Sequence, residues 1–336
     1  MPATVTDLFD TVHAQMLRHF PELVTELGGD PQDLLRRAGI AAPEATYRQA
    51  IHLLELAAVE LRCPDLGLRL AHRQGGGGMF GPLGLAMKNS RTFGEALTYV
   101  SEHAYAHSLA ARIRVTRLAD GGLFSAHDIL LEGVPVKTQL VEQIILIGHL
   151  AALEITGGHA RVRRVHFRHQ PLLPLRAYRR HFGCEVRFGQ NEDGVRFSAA
   201  DLAAPVVEPD AEAFARVAAF IDSAFPRQHP PLHAEVRGLV MQHLGTGLCT
   251  NESIAAALHL HPRTLHRKLR AEGTAFQKIK DEVRRDMMLY YLQQTRLDFL
   301  RVSERLGFAE QSVMTRSCQR WFAASPTRMR QDATAG

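Results

Sequence analysis

Cysteine is scarce in this chain. Cys63, Cys184, Cys249 and Cys318 are the only four in 336 residues, and no two have the spacing of a paired zinc or redox motif. The expected state is four reduced thiols in a cytoplasmic protein, with no structural metal. Long hydrophobic runs are also missing. The most apolar stretch, about Ile144 to Leu153, is interrupted by His149 and falls short of the roughly 20 residues of a membrane span. The opening Met1-Pro2-Ala3-Thr4 lacks the basic start and continuous apolar core of a signal peptide. No Ser-His-Asp order, metal box or cofactor loop stands out, so neither an enzyme nor a cofactor is expected. The glycine run Gln74-Gly75-Gly76-Gly77-Gly78-Met79 lacks the Gly-Lys-Ser/Thr ending of a phosphate loop and reads as a flexible connector or a ligand-gating loop.

What is present is globular: 46% hydrophobic and 22% charged residues, in a chain long enough for two or three domains. The net charge of +5 is unevenly placed. From Leu232 onward there are 16 Lys and Arg against 10 Asp and Glu, leaving 24 against 25 before that point. The positive excess lies in the C-terminal third, where it suits a phosphate backbone.

Pro226, Pro230 and Pro231 block a helix ahead of the C-terminal third and mark a connector at 226–231. Before it, the pattern is mixed. Helical periodicity covers Val5–Leu27, Pro31–Ala38, Gln49–Leu61 and Thr92–Ala106. Alternation then predicts strands at Ala111–Leu118 and Gly122–Leu131, a hairpin through Ala119-Asp120-Gly121. A long apolar helix follows Pro135 to about Thr156, with Gly157-Gly158 as its stop. Arg161–Arg168 reads as a strand, Pro174–Phe182 as a helix ending at Gly183, Glu185–Phe188 and Gly194–Ser198 as strands, and Ala211–Ala224 as a helix. This is an α+β domain.

After the connector, one pattern occurs twice: a short apolar helix, a tight turn, then a helix rich in Arg, His, Gln and Thr. In the first copy Ile254, Ala257 and Leu258 form an inward stripe, and Pro262 opens the second helix. Leu265 and Leu269, four apart, anchor that helix. Arg263, His266 and Arg267 then share an outward face suited to base edges, with Lys268 and Arg270 beside it for phosphate. Thr274-Ala275-Phe276-Gln277 reads as a capping box for a helix that continues to about Gln294. In the second copy Val302, Leu306 and Phe308 face inward and Gly307 supplies the turn. Val313, Ser317 or Cys318, and Trp321 give that unit's second helix its apolar side, with Trp321 expected in the core. Gln311, Ser312, Thr315 and Arg316 face outward. Tandem helix-turn-helix units of this kind can place two recognition helices in successive major grooves.

These residues resemble the DNA-binding domain of the AraC/XylS family of bacterial transcription regulators. The resemblance runs from about Val236 to Gln331 and rests on Arg263–Gly273, Val283-Arg284, Tyr291-Leu292, Leu306-Gly307-Phe308, Ser312, Arg316, Trp321 and Pro326. It implies base-reading roles for Arg263, His266 and Arg267, and for Gln311, Ser312, Thr315 and Arg316. It also implies an activator that meets RNA polymerase. Val302-Ser303 replaces a usual isoleucine-alanine pair, Met314 and Cys318 replace usual aromatics, and His261 replaces a capping serine.

Phe80–Ala86, Ser90–Leu97, Phe188-Gly189, Val195–Ser198 and Leu202–Pro205 resemble the arabinose-binding-type sensor domain of one branch of the same family. The whole chain then reads as a sensor and dimerisation domain at 1–225, the connector at 226–231, and a tandem helix-turn-helix domain at 232–336. The implied partners are double-stranded DNA, a small effector and a second copy of the chain. The alternative is a regulator whose N-terminal half only dimerises. Polar anchors for an effector are sought among His103, Tyr105, His107, His127, Lys137, Gln139, Glu142, Gln143 and His149. The basic run Arg161, Arg163, Arg164 and Arg168 reads as a solvated edge strand or an anion site.

Overall fold

A computed structural model of the chain describes residues 9–12, 15–41, 45–225 and 229–335. The backbone divides into two compact units, one of residues 1–129 and 137–229, the other of 130–136 and 230–336. The expected connector at 226–231 lies partly outside the described residues.

The first unit is α+β. Its helices are α1 Phe20–Glu26, α2 Pro31–Arg37, α3 Tyr47–Glu60, α4 Leu66–Gln74, α5 Pro82–Lys88, α6 Phe93–Glu102, α7 Thr138–Ile155, α8 Leu175–Phe182, α9 Ala199–Ala203 and α10 Ala211–Ala224. The long helix expected at Val5–Leu27 is interrupted: residues 10–12 and 15–19 are not helical, and a helix runs over Phe20–Glu26. His19 has φ +64, a left-handed conformation that a continuous α-helix cannot pass through. A capping box of Thr46 and Gln49 starts α3, and Asp30 caps α2 with its carboxylate. The helix α7 is long and apolar enough to cross a membrane, contrary to the sequence expectation. Yet 78% of it is buried inside the unit, as the central helix of a folded core.

The strands are β1 Ala111–Arg117, β2 Leu123–Ile129, β3 Arg164–His166, β4 Glu185–Arg187 and β5 Gly194–Phe197. Among the described residues they form one mixed sheet in the order β1-β2-β5-β3-β4. The hairpin pairs Ala111 with Ile129 through to Arg117 with Leu123. β3 runs antiparallel to β5 and parallel to β4, so it is an interior strand rather than the expected edge.

Against the anion-site reading, three of the four arginines of the run Arg161, Arg163, Arg164 and Arg168 are taken up by carboxylates. Arg163 is bidentate to Asp201 at 2.7 and 2.8 Å, Arg164 meets Glu185 at 2.8 Å, and Arg168 reaches Asp128 at 3.4 Å. Asp128 also accepts from Arg112 and Arg114. Burial alone would raise its pKa, but these three guanidiniums overcome that cost and hold it down at about 2.

Glycine-rich residues 75–78 are neither a phosphate loop nor a loose connector. Gly77–Phe80 is a 3-10 turn, and a Cβ at Gly84 would lie 2.0 Å from the Gly77 carbonyl. A Cβ at Gly76 would crowd the Ala151 backbone of α7 at 3.0 Å. These glycines let backbones pack closely.

The second unit is helical: α11 Leu232–His243, α12 Asn251–Ala257, α13 Pro262–Ala271, α14 Phe276–Gln294, α15 Phe299–Arg305, α16 Gln311–Phe322 and α17 Pro326–Ala335. Val240, Leu265, Leu269, Val283, Leu306 and Met314 meet in its buried core. The buried Arg237 guanidinium of α11 reaches Glu282 at 3.3 Å and Asp286 at 3.2 Å on α14.

Candidate nucleic-acid interface

Each helix-turn-helix starts from a buried spine. In the first, Ile254 and Ala255 of α12 are fully buried, Leu258 is half-buried, and Ala257, expected inward, is exposed. The turn passes through His259 at φ +53, and Leu260 donates back to the Ala255 carbonyl at 2.8 Å. His261 then does what its position requires: its Nδ1 accepts the Arg263 backbone N–H at 3.2 Å, capping α13. Pro262 fills the first helical position, where no N–H is needed. Leu265 and Leu269 bury completely, and this fixes the rotation of the helix. Arg263, His266, Arg267, Lys268 and Arg270 are left exposed.

In the second unit Asp298 caps α15 by accepting from the Arg301 N–H at 2.8 Å. Val302, Ser303 and Leu306 are buried, and Gly307 turns the chain at φ +64. The apolar side of α16 is Met314 and Cys318, both fully buried, with Ser317 beside them; Val313 is half-buried. Trp321 is only half-buried, with its ring 6.4 Å from Phe308 and the Arg320 guanidinium 5.4 Å from its own centroid. Gln311, Ser312, Thr315 and Arg316 are exposed. Two of them make local bonds: Ser312 Oγ to Glu310 at 3.0 Å and Thr315 Oγ1 to the Gln311 carbonyl at 3.1 Å.

The two units are joined by α14, whose 19 residues span about 28 Å. That is close to the roughly 34 Å between major grooves on one face of DNA. The expected capping box at its start is not formed. The helix begins at Phe276 with Ala275 as its cap, so Gln277 falls one position early and donates to Asp281 instead at 3.1 Å.

Sequence reading did not find the residue that ties α14 to the second turn. Arg284 Nε donates to the Leu306 carbonyl at 2.9 Å and its NH2 group to the Gly307 carbonyl, while the guanidinium lies 4.5 Å from the Phe308 ring centroid. Burial lowers its pKa from the usual arginine value. Lys280, one turn earlier, holds the Cys249 carbonyl at 2.7 Å.

Arg112, Arg114, Arg164, Arg187 and Arg196 of the sheet pair with carboxylates. Among the described residues, Arg263, Arg267, Lys268 and Arg316 pair with no carboxylate, so these exposed cations keep their charge available for an anion.

The nine polar candidates in the first unit scatter. Gln139 holds Gly67 and Pro64 through its side-chain amide, tying α4 to α7. Gln143 donates to Met16 and Gln74. Glu142 accepts from Tyr178 at 2.9 Å. His103 stacks on Tyr99, and Tyr105 lies beyond it. His149 is buried near Phe182, and Lys137 stands just before α7 without a side-chain capping bond. His107 and His127 both line the wall of one apolar cavity.

Two helix-turn-helix units on one connecting helix, preceded by an α+β domain, define a DNA-binding transcription regulator. Residues 28–206 match the family described as the arabinose-binding domain of AraC transcription regulator, N-terminal, and residues 254–332 match a helix-turn-helix domain. The chain is 33% identical over 333 residues to the HTH-type transcriptional regulator VirS of Mycobacterium tuberculosis, covering 96% of this chain and 97% of that one. It is 26% identical over 281 residues to the ornithine utilization regulator of Pseudomonas aeruginosa, covering 80% and 79% respectively. The crystal structure of CdpR from Pseudomonas aeruginosa is similar at a TM-score of 0.45 and 22% identity, over 89% of this chain and 96% of that one. The chain belongs to the AraC family of transcription regulators, with an arabinose-binding-type N-terminal domain.

Proposed function

We propose that this regulator is an effector-responsive activator acting in the cytoplasm, with no catalytic role. It reads its operator with Arg263, His266 and Arg267 of α13 and with Gln311, Ser312, Thr315 and Arg316 of α16. Lys268 holds phosphate. The observation that carries this reading is the pairing of fully buried anchors, Leu265 and Leu269 on one helix and Met314 and Cys318 on the other, with exposed polar faces opposite them. Arginine can bind guanine bidentately, so Arg263, Arg267 and Arg316 would supply the strongest discrimination.

Functionally, residues 1–225 sense an effector and dimerise, 226–231 connect, and 232–336 bind DNA. An effector shifts the sensor between two states only by binding them with different affinity. Transcription from a supercoiled template with purified RNA polymerase tests the activator role. Regulator with effector raises transcript yield above polymerase alone; a fall makes it a repressor. If yield is the same with and without small molecules, the N-terminal half only dimerises.

A further inference from the structure

The first unit holds a cavity of about 90 Å³ between the sheet, α5, α6 and α7. Its walls are mostly hydrocarbon: Leu83, Met87, Leu97, Val100, Ile144 and Val195 are among them. Polar side chains enter at three positions, Ser125, His107 and His127, all buried. The rings of Tyr47 and Phe80 stand edge-on to the His107 ring, with centroids 5.9 and 5.8 Å away. Tyr47 also reaches His127 Nε2 through its hydroxyl at 3.3 Å. Among the described residues, no Lys, Arg, Asp or Glu lines the space. Phe80, Ala104, Ile113 and Gly148 are partly exposed and mark where it opens.

Gly148 is the second observation. It lies inside α7, where glycine costs about 1 kcal/mol relative to alanine. A Cβ built there meets nothing within 4 Å. The glycine is not needed for a turn or for close packing; it leaves space on the cavity wall.

We infer that this cavity is the effector site, and that it takes an uncharged, ring-sized, largely apolar molecule bearing one hydrogen-bonding group. The inference rests on the effector-responsive reading above. A carboxylate or ammonium would lose its hydration with no counter-charge to receive it. A pentose carries more hydroxyls than three polar side chains can satisfy, and each one buried unpaired costs affinity. Size sets the upper bound: a closed cavity of about 150 Å³ accepts benzene, so this smaller one takes a single ring only with part of it in the open mouth, and no long acyl chain. Burial lowers the pKa of His127 and keeps it neutral near pH 7, able to bind a hydroxyl or carbonyl without adding charge.

The test uses the full chain with p-cresol as probe, and with L-arabinose and L-ornithine as the polyhydroxylated and charged comparisons. At tenfold excess over its dissociation constant, p-cresol should raise the melting temperature on the order of 3 °C. Neither comparison should move it. Gly148→Leu, which grows into the open space, should abolish the p-cresol shift, with its own melting transition reporting that it folds. Should that variant not fold, Ser125→Val serves, and p-cresol should then bind no better than toluene. A shift from arabinose or ornithine without one from p-cresol overturns the inference, as does p-cresol stabilising Gly148→Leu as strongly as wild type. Effector control is read separately, from operator affinity with and without a small-molecule cell extract. A response there with no p-cresol binding sinks this site alone; p-cresol binding with no response to any small molecule sinks effector control and leaves the cavity's ligand class standing.

Discussion

Arg284 and Phe308 are 24 positions apart in sequence and stack with the guanidinium carbon 4.5 Å from the ring centroid. The same guanidinium donates to the carbonyls of Leu306 and Gly307. One side chain of the connecting helix thus fixes the turn that aims the second recognition helix.

Replacing Arg284 should therefore act on stability before it acts on DNA. Arg284→Ala strands two carbonyls and loses the stack, a cost of about 2–4 kcal/mol. Arg284→Lys should fall between, because a point charge cannot replace a planar fork on two carbonyls and a ring. Urea unfolding followed by the fluorescence of Trp321, the chain's one tryptophan, reads both variants. Wild-type stability in Arg284→Ala would contradict the tie.

Arg267→Ala and Arg316→Ala should each weaken specific binding by about 1–3 kcal/mol and relax preference at one base position. Lys268→Ala should weaken specific and non-specific DNA alike and lower the salt slope by about 1. Titrations at several salt concentrations against an operator and its single-base variants separate the two behaviours.

His261 caps the first recognition helix with a ring nitrogen where serine or threonine would use oxygen. His261→Ala should cost about 1 kcal/mol of stability, and His261→Ser should restore it. Denaturant midpoints of the three proteins check this; a serine variant as weak as alanine would show that the cap is not the source of the loss.

Glu142 gives the first unit a pH dependence of definite sign. Burial pushes its carboxyl up to about 8, although the Tyr178 hydroxyl donates to it, and burial lowers the pKa of neighbouring His169. Below about pH 4.5, folded and unfolded chains both hold this proton. Between there and about pH 8 only the folded chain keeps it, so the contribution of Glu142 to stability falls as pH rises. Glu55, pushed up to about 7 by burial, adds a slope of the same sign. Glu142→Gln keeps an acceptor for Tyr178 without the ionisation. Its melting temperature should exceed wild type at pH 8 and approach it at pH 5; parallel pH profiles would contradict this.

The C-terminal unit was legible because its rules are local. Pro262 at a helix start, leucines four apart at 265 and 269, and Gly307 at a turn each state a backbone or packing requirement within a few residues. The N-terminal unit was legible in its elements and not in its site. Its strand at 111–117 alternates in sequence while that at 123–129 is buried throughout, and β3 became an interior strand through partners 21 to 32 residues away. Helices α4 and α5 went unread because Gly67, Gly76 and Gly84, which suggest loops, are there to admit a neighbouring backbone. Arg284 was hidden for the same kind of reason: a helical arginine looks like surface until its carbonyl partners 22 and 23 positions on are known. The cavity is lined mostly by apolar residues scattered over α5, α6, α7, β1 and β5, and no periodicity distinguishes its walls from ordinary core.

The central claim is tandem sequence readout by α13 and α16. Genome fragments selected by the purified protein at near-physiological salt, with the bound DNA sequenced, test it most directly. Tandem readout should enrich a site of two short elements about one helical turn apart. The Arg267→Ala and Arg316→Ala variants should each relax only one of the two elements. Salt-sensitive capture with no enriched sequence, with or without effector, would contradict it.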